Sequence, residues 1–562
     1  MKKIWFRRLL TSGIGAVCWL EVLSSVSVRS EVLSGIPLGV QQNEPLVAQR
    51  GDFEEASQLY EEGIRLVQED SVESLRAAIL LWQQALPLWQ RAGAREQEAL
   101  TLRNIGSVYL RIGNRELAID YFQQTLLVQR AIDNKPGELD ALNRIANIYF
   151  EMGDVETALE YYMQSYSVSE SMGNVAEQAI ALSNIATMYR ELGNYEEALS
   201  YYQASLSVSR AAENPIGTAK TLGNIGQTYA LIEDYETALK YYNDALSLFV
   251  DNNAPQREIA LTRSSIASVY SERGEYEAAI EYRNEVLSLY IEINALQEIL
   301  NEIISIGDLY VELEDRVNAL AHYESALNLV RQLHSRERES EILNKIGLIY
   351  ETFGDLEKAI SYYELVLNIS EAQQIDRAVA VSLANIGGIY RQFGYIERAF
   401  EYLYRALEIN ESINDERLFA VNLNKIALIY ADVGDIETAL DYLRDALELR
   451  RRTGDKNGEA RTLNNIGAMY QIVREFDLAR ENYQSSLTLK RQLGDTKGIA
   501  VTLNSLGGLS YETGDFVSAL DYFENSLQLQ QELGDRPGEA TALNGIASVY
   551  YSLNELEKAE DY

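Results

Sequence analysis

A tyrosine recurs along this chain at a nearly constant interval of 40 residues, and this period constrains the fold more than any other feature. The tyrosines are Tyr109, Tyr149, Tyr189, Tyr229, Tyr270, Tyr310, Tyr350, Tyr390, Tyr430, Tyr470 and Tyr550, with one step of 41 residues and Ser510 in the remaining place. A fixed period of this size indicates repeats that pack against their neighbours. A chain of 562 residues is also too long for one hydrophobic core, so repetition is a physically reasonable solution.

Each repeat contains the pattern of two helices. In the fourth copy a first stripe has the helical spacing i, i+3, i+4, i+7 and consists of Leu222, Ile225, Gly226 and Tyr229. A second stripe follows at Ala238, Tyr242, Ala245 and Leu246. We name the two predicted helices helix A and helix B. The small residue in helix A and the alanine that opens helix B should let the two helices approach closely.

Breakers separate the two helices. A glycine stands four residues after most of the repeating tyrosines, at Gly113, Gly153, Gly193, Gly274, Gly354, Gly394, Gly434 and Gly514. Glu233, Glu314, Arg474 and Asn554 take this place in the other copies. A residue in the left-handed conformation is expected there, since it would end helix A. Pro136, Pro215, Pro255 and Pro537 fall in the second turn, and we expect them between helices because proline disrupts a helix interior.

This order of an aliphatic residue, a small residue, a tyrosine, a glycine, an alanine and an aromatic residue resembles the tetratricopeptide repeat (TPR) family. The family repeat has about 34 residues, and the 40-residue form here is similar to the longer variant of kinesin light chains and LGN-type scaffolds. The resemblance covers residues 98–562 in twelve copies. It implies an all-α fold, a right-handed superhelical TPR solenoid of about 12–13 helix–turn–helix repeats, with helix A on the inner, concave wall.

The flanking segments depart from this pattern. Residues 51–97 predict a divergent first repeat, and Pro87 is expected to end or kink its second helix early. Residues 31–50 have no clear pattern and predict a linker. The last of the twelve repeats stops at Tyr562, in the first turn of its helix B, so we expect it to be truncated.

The first 30 residues are similar to a secretory signal peptide. Lys2, Lys3, Arg7 and Arg8 precede a mostly apolar run over residues 9–20, and serines follow. This predicts export to the periplasm or cell envelope. The segment lacks an Ala-x-Ala cleavage site, so a short hydrophobic anchor or an uncleaved tail on a cytoplasmic protein stays open. An uncleaved segment would be the one expected membrane contact.

Composition argues against catalysis and against polyanionic partners. The chain has 85 acidic and 49 basic residues, a net charge of −36 that repels nucleic acid and anionic lipid. Its one cysteine, Cys18, lies in the N-terminal segment, and its two histidines are His322 and His334. Thiolate metal sites and Cys–His dyads are therefore excluded from the repeats. With no nucleotide-binding motif either, we expect no enzyme activity, no catalytic or metal-binding residues and no cofactor.

Asparagine recurs on the face of helix A that lies outside the buried stripe. In the fourth copy this face is expected to consist of Lys220, Gly223, Asn224, Gln227 and Ala230. The asparagines at these offsets are Asn104, Asn143, Asn147, Asn184, Asn224, Asn301, Asn344, Asn385, Asn424, Asn464, Asn465, Asn504 and Asn544. Asparagine is a poor helix former, and its amide both donates and accepts hydrogen bonds.

These asparagines, except Asn147 and Asn301, are candidate peptide-binding residues. The resemblance implies that such residues form a ladder that holds a peptide backbone. The alternative is that they bridge adjacent repeats or cap loops. The same offsets carry the candidate basic residues Arg144, Arg190, Lys220, Lys345, Arg391, Lys425 and Arg461, together with Arg103. They carry only four acidic residues, so the groove is expected to be neutral to mildly basic and to bind a neutral or acidic segment.

Paired tyrosines in helix B, such as Tyr161-Tyr162, predict packing rather than ligand contact. One ring of each pair is expected to pack and the other to cover the next repeat.

The leading hypothesis is a non-catalytic scaffold that binds an extended peptide or a partner helix in its concave groove. A second is the sensor or regulatory arm of a larger multidomain protein, because exported bacterial proteins similar to this one often continue into a caspase-like C-terminal domain. A third is an architectural envelope protein that self-associates through its ends. All three expect protein partners.

Overall fold

The computed structural model describes residues 47–562, so the predicted signal peptide and Cys18 lie outside the described residues. Within that range the chain forms 26 α-helices in thirteen consecutive pairs and no strand. The all-α repeat fold is thereby confirmed. Residues 47–50, which the sequence predicts to be linker, belong to the first helix.

Odd-numbered helices are helix A of a pair and even-numbered helices are helix B. Their bounds are α1 Val47–Gln68, α2 Val72–Ala92, α3 Arg95–Arg111, α4 Arg115–Ala131, α5 Lys135–Glu151, α6 Val155–Ser171, α7 Val175–Glu191, α8 Tyr195–Ala211, α9 Pro215–Leu231, α10 Tyr235–Asp251, α11 Gln256–Glu272, α12 Tyr276–Glu292, α13 Leu296–Glu312, α14 Arg316–Gln332, α15 Arg336–Thr352, α16 Leu356–Gln373, α17 Asp376–Gln392, α18 Ile396–Ser412, α19 Glu416–Asp432, α20 Ile436–Thr453, α21 Lys456–Ile472, α22 Phe476–Leu493, α23 Thr496–Glu512, α24 Phe516–Leu533, α25 Arg536–Ser552 and α26 Leu556–Asp561.

Two compact units divide the described chain, residues 47–302 and residues 303–562. Within each unit, helix A packs on helix B of its own repeat and on helix B of the preceding repeat. Helices A of successive repeats also contact one another, as α7 and α9 do in the first unit and α17 and α19 do in the second. Helices B of successive repeats approach less closely and contact each other through long side chains, as Tyr404 and Tyr442 do. The A helices therefore line the side of each unit on which neighbouring repeats approach most closely.

The close approach of helices A and B depends on a small residue in helix A. A Cβ atom added at Gly226 would lie 3.0 Å from the ring of Tyr242 and 3.2 Å from the carbonyl oxygen of Ala238. The same relation joins Gly467 to Tyr483, where the distance would be 2.7 Å. The second aromatic residue of each helix B pair thus fills the space that the missing side chain leaves.

The first tyrosine of each helix B pair stacks on the repeating tyrosine of helix A. Ring centroids are 5.2–5.8 Å apart in the pairs Tyr109–Tyr121, Tyr149–Tyr161, Tyr189–Tyr201, Tyr229–Tyr241, Tyr270–Tyr282, Tyr350–Tyr362, Tyr390–Tyr402, Tyr430–Tyr442 and Tyr550–Tyr562. The first ring stacks within its own repeat, because the last turn of helix A lies beside the first turn of helix B. The second ring of each helix B pair lies against helix A of the next repeat, as Tyr162 does beside Ile185 and Met188, so the expectation that one ring covers the next repeat is confirmed.

The turns between helix A and helix B confirm the left-handed prediction. The eight glycines there have φ between 74° and 86°. The replacements Glu233, Glu314, Arg474 and Asn554 also have positive φ, at 64°, 55°, 63° and 59°. The position therefore demands this conformation whatever side chain it carries.

The prolines correct two expectations. Pro136, Pro215 and Pro537 lie inside the first turn of a helix A rather than between helices, because the first helical N–H groups need no intrahelical acceptor. Pro255 caps α11. Pro87 lies inside α2, which continues to Ala92 instead of ending early.

Candidate protein-interaction site

All predicted site residues lie in A helices, but their exposure differs. Half-buried are Asn104, Asn143, Asn184, Asn344, Asn385, Asn464, Asn465, Asn504, Arg144, Lys220, Lys345, Arg391 and Lys425; buried are Asn224, Asn424 and Arg190; exposed are Asn544 and Arg461. The expectation that Gly223 and Asn224 lie outside the buried surface is wrong. The A helix of a neighbouring repeat packs over part of this face. A helical wheel of one helix does not show that contact.

Several of the asparagines bridge neighbouring repeats by one rule. The residue five positions before the repeating tyrosine donates to the residue six positions before the tyrosine of the preceding repeat. In the second unit Asn465 Nδ2 donates to Asn424 Oδ1 at 2.9 Å, and Asn385 Nδ2 donates to Asn344 Oδ1 at 3.4 Å. In the first unit Asn224 Nδ2 donates to the hydroxyl of Ser183 at 3.3 Å.

Two asparagines of the second unit lack such a donor. The side-chain oxygens of Asn464 and Asn504 are enclosed and have no hydrogen-bond partner among residues 47–562. The bridging rule explains why. The donor positions of the following repeats hold Ser505, whose hydroxyl donates instead to the carbonyl of Val501, and Gly545, which has no side chain. We name the asparagines at these two positions in the second unit, Asn344, Asn385, Asn424, Asn464, Asn465 and Asn504, the amide row. The side-chain oxygens of Asn344 and Asn424 are paired, and those of Asn464 and Asn504, at the open end of the row, are unpaired.

Lys425 occupies a donor position in the same row. Its Nζ donates to the carbonyl oxygen of Ala384 at 2.9 Å and to Asn385 Oδ1 at 3.4 Å. Burial lowers the pKa of the Lys425 ammonium, and the nearby Glu351 opposes the shift. Asn385 thus donates on one side and accepts on the other, which makes it the central link from Asn344 to Lys425.

Most of the other predicted cations are neutralised within the fold. Pairs with a neighbouring repeat are Lys220–Glu258 at 2.7 Å, Lys345–Asp308 at 2.6 Å and Arg391–Asp432 at 2.5 Å. Pairs within one helix are Arg144–Asp140 at 2.9 Å and Arg190–Glu191 at 3.1 Å. The charges of Lys220, Lys345 and Arg391 therefore hold neighbouring repeats together, whereas Arg461 remains an exposed cation with an amide partner, Asn457.

A cleft adjoins the open end of the amide row. It has a volume of about 610 Å³ and is lined by Ala468, Gln471, Ile472, Arg474, Phe476 and Glu512. Gln471 Nε2 of α21 donates to Glu512 Oε1 of α23 at 2.8 Å across it. Ala468 and Gln471 stand at offsets that the sequence assigned to the binding face. Ile472, which is 58% exposed, was not among the predicted site residues although its exposed apolar side chain marks the place.

Two further classes of site are absent from residues 47–562. No group of three or more His, Cys, Asp or Glu side chains there is arranged to hold a metal ion. Nor does any helix of this range combine the length and apolarity that crossing a bilayer requires.

Comparison with protein families identifies the repeats. A tetratricopeptide repeat model matches residues 97–171, 177–249, 298–372, 418–492 and 498–562, and a second tetratricopeptide repeat model matches residues 379–416. The chain belongs to the tetratricopeptide repeat family. Residues 43–87 also match a model described as anaphase-promoting complex subunit 5. The comparison with curated proteins gave no match.

Solved structures that are similar have low identity. BtubC (BKLC) from P. vanneervenii is 22% identical, covers 39% of this chain and 90% of its own, and has a TM-score of 0.33. The apo form of RapI is 16% identical, covers 50% of this chain and 99% of its own, and has a TM-score of 0.39.

Tetratricopeptide repeats generally bind protein partners, and the family generally consists of non-catalytic scaffolds. The repeats of this chain accordingly support a protein-interaction scaffold.

Proposed function

We propose that this scaffold captures an extended segment of a partner protein along the A helices α17, α19, α21, α23 and α25. The observation that carries the proposal is the pair of half-buried asparagines, Asn464 and Asn504, whose side-chain oxygens have no partner within residues 47–562. A buried polar atom without a partner costs stability. Such a cost is understandable where a ligand supplies the missing bond.

An extended peptide fits this face better than a helix does. A helix satisfies its own backbone groups, whereas an extended segment leaves N–H and C=O groups that need partners. A primary amide serves both groups at once, since its oxygen accepts and its nitrogen donates. Asn464 and Asn504 are half-buried and their oxygens are enclosed, so the proposal requires each amide to rotate towards such a backbone.

The surroundings of the amides suit the side chains of an extended segment. The same face carries the apolar or small residues Val421, Leu428, Ala468, Ile472 and Gly508, all partly or fully accessible. Alternate side chains of an extended peptide point to opposite sides, so one set would meet this apolar surface while the backbone meets the amides. The 610 Å³ cleft beside Ile472 offers space for one large side chain.

A pull-down with the full chain tests the proposal. The variant N464A/N504A should lose partners that the wild type captures from cell extract. The matched control is N482A/N525A, which removes a half-buried and an exposed asparagine from helices B of the same two repeats, where each side chain donates only to its own helix. Partners kept by N464A/N504A, or lost equally from the control, would refute the proposal.

Photo-crosslinking locates the captured segment independently. A benzoylphenylalanine at Ala468 should crosslink to one continuous stretch of the partner, and the same group at Asn482 should not. Crosslinks that form only from position 482 would move the interaction to the B helices. Self-association through the ends predicts instead crosslinks to the chain itself.

A further inference from the structure

Two neighbouring turns carry an excess of positive charge on an acidic chain. Residues 450–461 and 490–497 together hold eight basic and three acidic residues, whereas the whole chain has a net charge of −36. The first segment joins α20 to α21, and the second joins α22 to α23. These are equivalent turns of successive repeats within the second unit, so their charges lie along one edge. We name this edge the basic edge.

Part of its charge is balanced by carboxylates. Glu459 pairs with Arg451 and Lys456, each at 2.8 Å, and Glu416 pairs with Arg452 at 2.8 Å. Arg461, Arg491 and Lys497 are exposed, and no carboxylate of the described chain lies within ion-pairing distance of them.

Two further cations lie beneath this surface. Arg450 is 5% exposed and donates to the carbonyl oxygen of Gly458, while its Nε has no partner within residues 47–562. Lys490 is 3% exposed and donates to Gly498 O at 3.1 Å and to the hydroxyl of Thr502 at 2.8 Å. Both cations therefore lie out of water with neutral hydrogen-bond partners, which is costly for a charge that has no counterion.

Burial, rather than neighbouring charge, is the main influence on these two cations. Burial lowers the pKa of Arg450 and of Lys490; the helix-capping carboxylates of Asp455 and Asp495 oppose the shift, and Arg461 adds to it in both cases. The N-termini of α21 and α23, which are the positive ends of their dipoles, face the same edge. Lys497 lies at such an N-terminus, where a cation does not stabilise a helix, so helix stabilisation does not account for it.

We propose that the basic edge is a docking site for a short acidic segment of a partner protein. This inference rests on the proposed scaffold function and adds a second contact outside the amide row. The unpaired cations span only two repeats, which matches a few carboxylates. A long polyanion such as nucleic acid, or an anionic membrane, would also meet the acidic remainder of the surface and be repelled.

Fluorescence anisotropy with the full chain tests the docking site. The ligand is a fluorescein-labelled deca-glutamate peptide, and the deca-glutamine peptide with the same label is its neutral control. The wild type should bind deca-glutamate, with affinity that falls as salt is added, and should not bind deca-glutamine. The variant R461E/R491E/K497E should bind at least ten times more weakly. The buried Arg450 and Lys490 are left intact so that the fold is preserved, as circular dichroism should show.

A control variant separates local charge from net charge. R76E/K240E/R398E changes the net charge equally at exposed positions that have no ion pair in the described chain, and it should bind deca-glutamate like the wild type. N464A/N504A should bind it equally well, so failure of the amide-row proposal and failure of this one are distinguishable. Absent binding, equal losses in both charge variants, or tighter binding of a ten-residue oligothymidylate or of phosphatidylserine vesicles would overturn the inference.

Discussion

Two adjacent asparagines of α21 should respond in opposite directions to the same substitution. Asn464 has an enclosed side-chain oxygen without a partner, and Asn465 donates to Asn424 Oδ1 at 2.9 Å. Replacing either residue by alanine gains the same intrinsic helix propensity, roughly 0.5 kcal/mol, so this contribution cancels in the comparison. The difference between the two variants therefore reports the hydrogen bonds and the packing of the two amides.

The magnitude follows from the two environments. N464A removes an unpaired buried acceptor, which should stabilise the fold by about 1–3 kcal/mol. The packing lost with the amide group offsets part of this gain. N465A removes a bond worth about 1 kcal/mol and leaves the buried oxygen of Asn424 without a donor. We expect N464A to be about 2 kcal/mol more stable to unfolding than N465A, and at least as stable as the wild type.

Urea unfolding followed by circular dichroism measures this difference, provided that the dependence of the free energy of unfolding on urea concentration is the same in both variants. The reasoning would be refuted by an N465A variant as stable as N464A, or by an N464A variant less stable than the wild type. The second result would mean that the oxygen of Asn464 has a partner in solution, such as a bound water. That result would leave the bridging rule intact but would contradict the conclusion that the oxygen of Asn464 is unpaired.

Four further outcomes are expected. E233G should raise the free energy of unfolding by roughly 0.5–1 kcal/mol, because glycine relieves the φ of 64° at this turn; no gain would show that Glu233 makes a compensating contact. S505N should supply the missing donor to Asn464, stabilise the fold by about 1 kcal/mol in urea unfolding, and weaken partner capture in the pull-down. G467A should cost roughly 1–3 kcal/mol, because its Cβ would lie 2.7 Å from the ring of Tyr483, and Y483L in the same chain should recover part of that loss. Burial raises the pKa of Tyr483 to about 12, above an unfolded value of about 10, so the stability from its neutral form is complete below pH 10 and lost as pH rises towards 12; Y483F should lose less stability over this range in pH-dependent melts.

The features predicted well from the sequence are local ones. Helices A and B follow from stripes at helical spacing, and the left-handed turns follow from a glycine at one offset. The structure extends that prediction even to Glu233 and Arg474, because backbone geometry at the turn does not depend on the side chain. Prolines were misplaced by one turn, since a helix start tolerates them and a period alone does not locate that start.

The partners of the half-buried amides depend on a relation that local patterns omit. Asn385 and Asn465 lie on the same face of their helices as Asn464, yet only the residue across the repeat boundary decides whether an oxygen is paired. That residue is an asparagine after Asn424 and a serine after Asn464. Only the structure shows which position of one repeat lies opposite which position of the preceding repeat. Once that relation is known, the sequence indicates which side-chain oxygens are paired.

The distribution of aromatic rings gives the two ends of the chain different optical signatures. Of the four tryptophans, the two in the described residues, Trp82 and Trp89, lie in the first helix pair, where their indole N–H groups donate to Tyr60 O at 3.0 Å and to Thr101 Oγ1 at 3.1 Å. Residues 303–562 contain no tryptophan and owe their near-ultraviolet absorption to tyrosines, several of them stacked in pairs. Indole fluorescence therefore reports on the folding of the N-terminal end. The near-ultraviolet circular dichroism of the stacked tyrosines also reports on the folding of repeats in the second unit. If repeats unfold in sequence rather than all at once, the two signals should change at different urea concentrations, without any label being introduced.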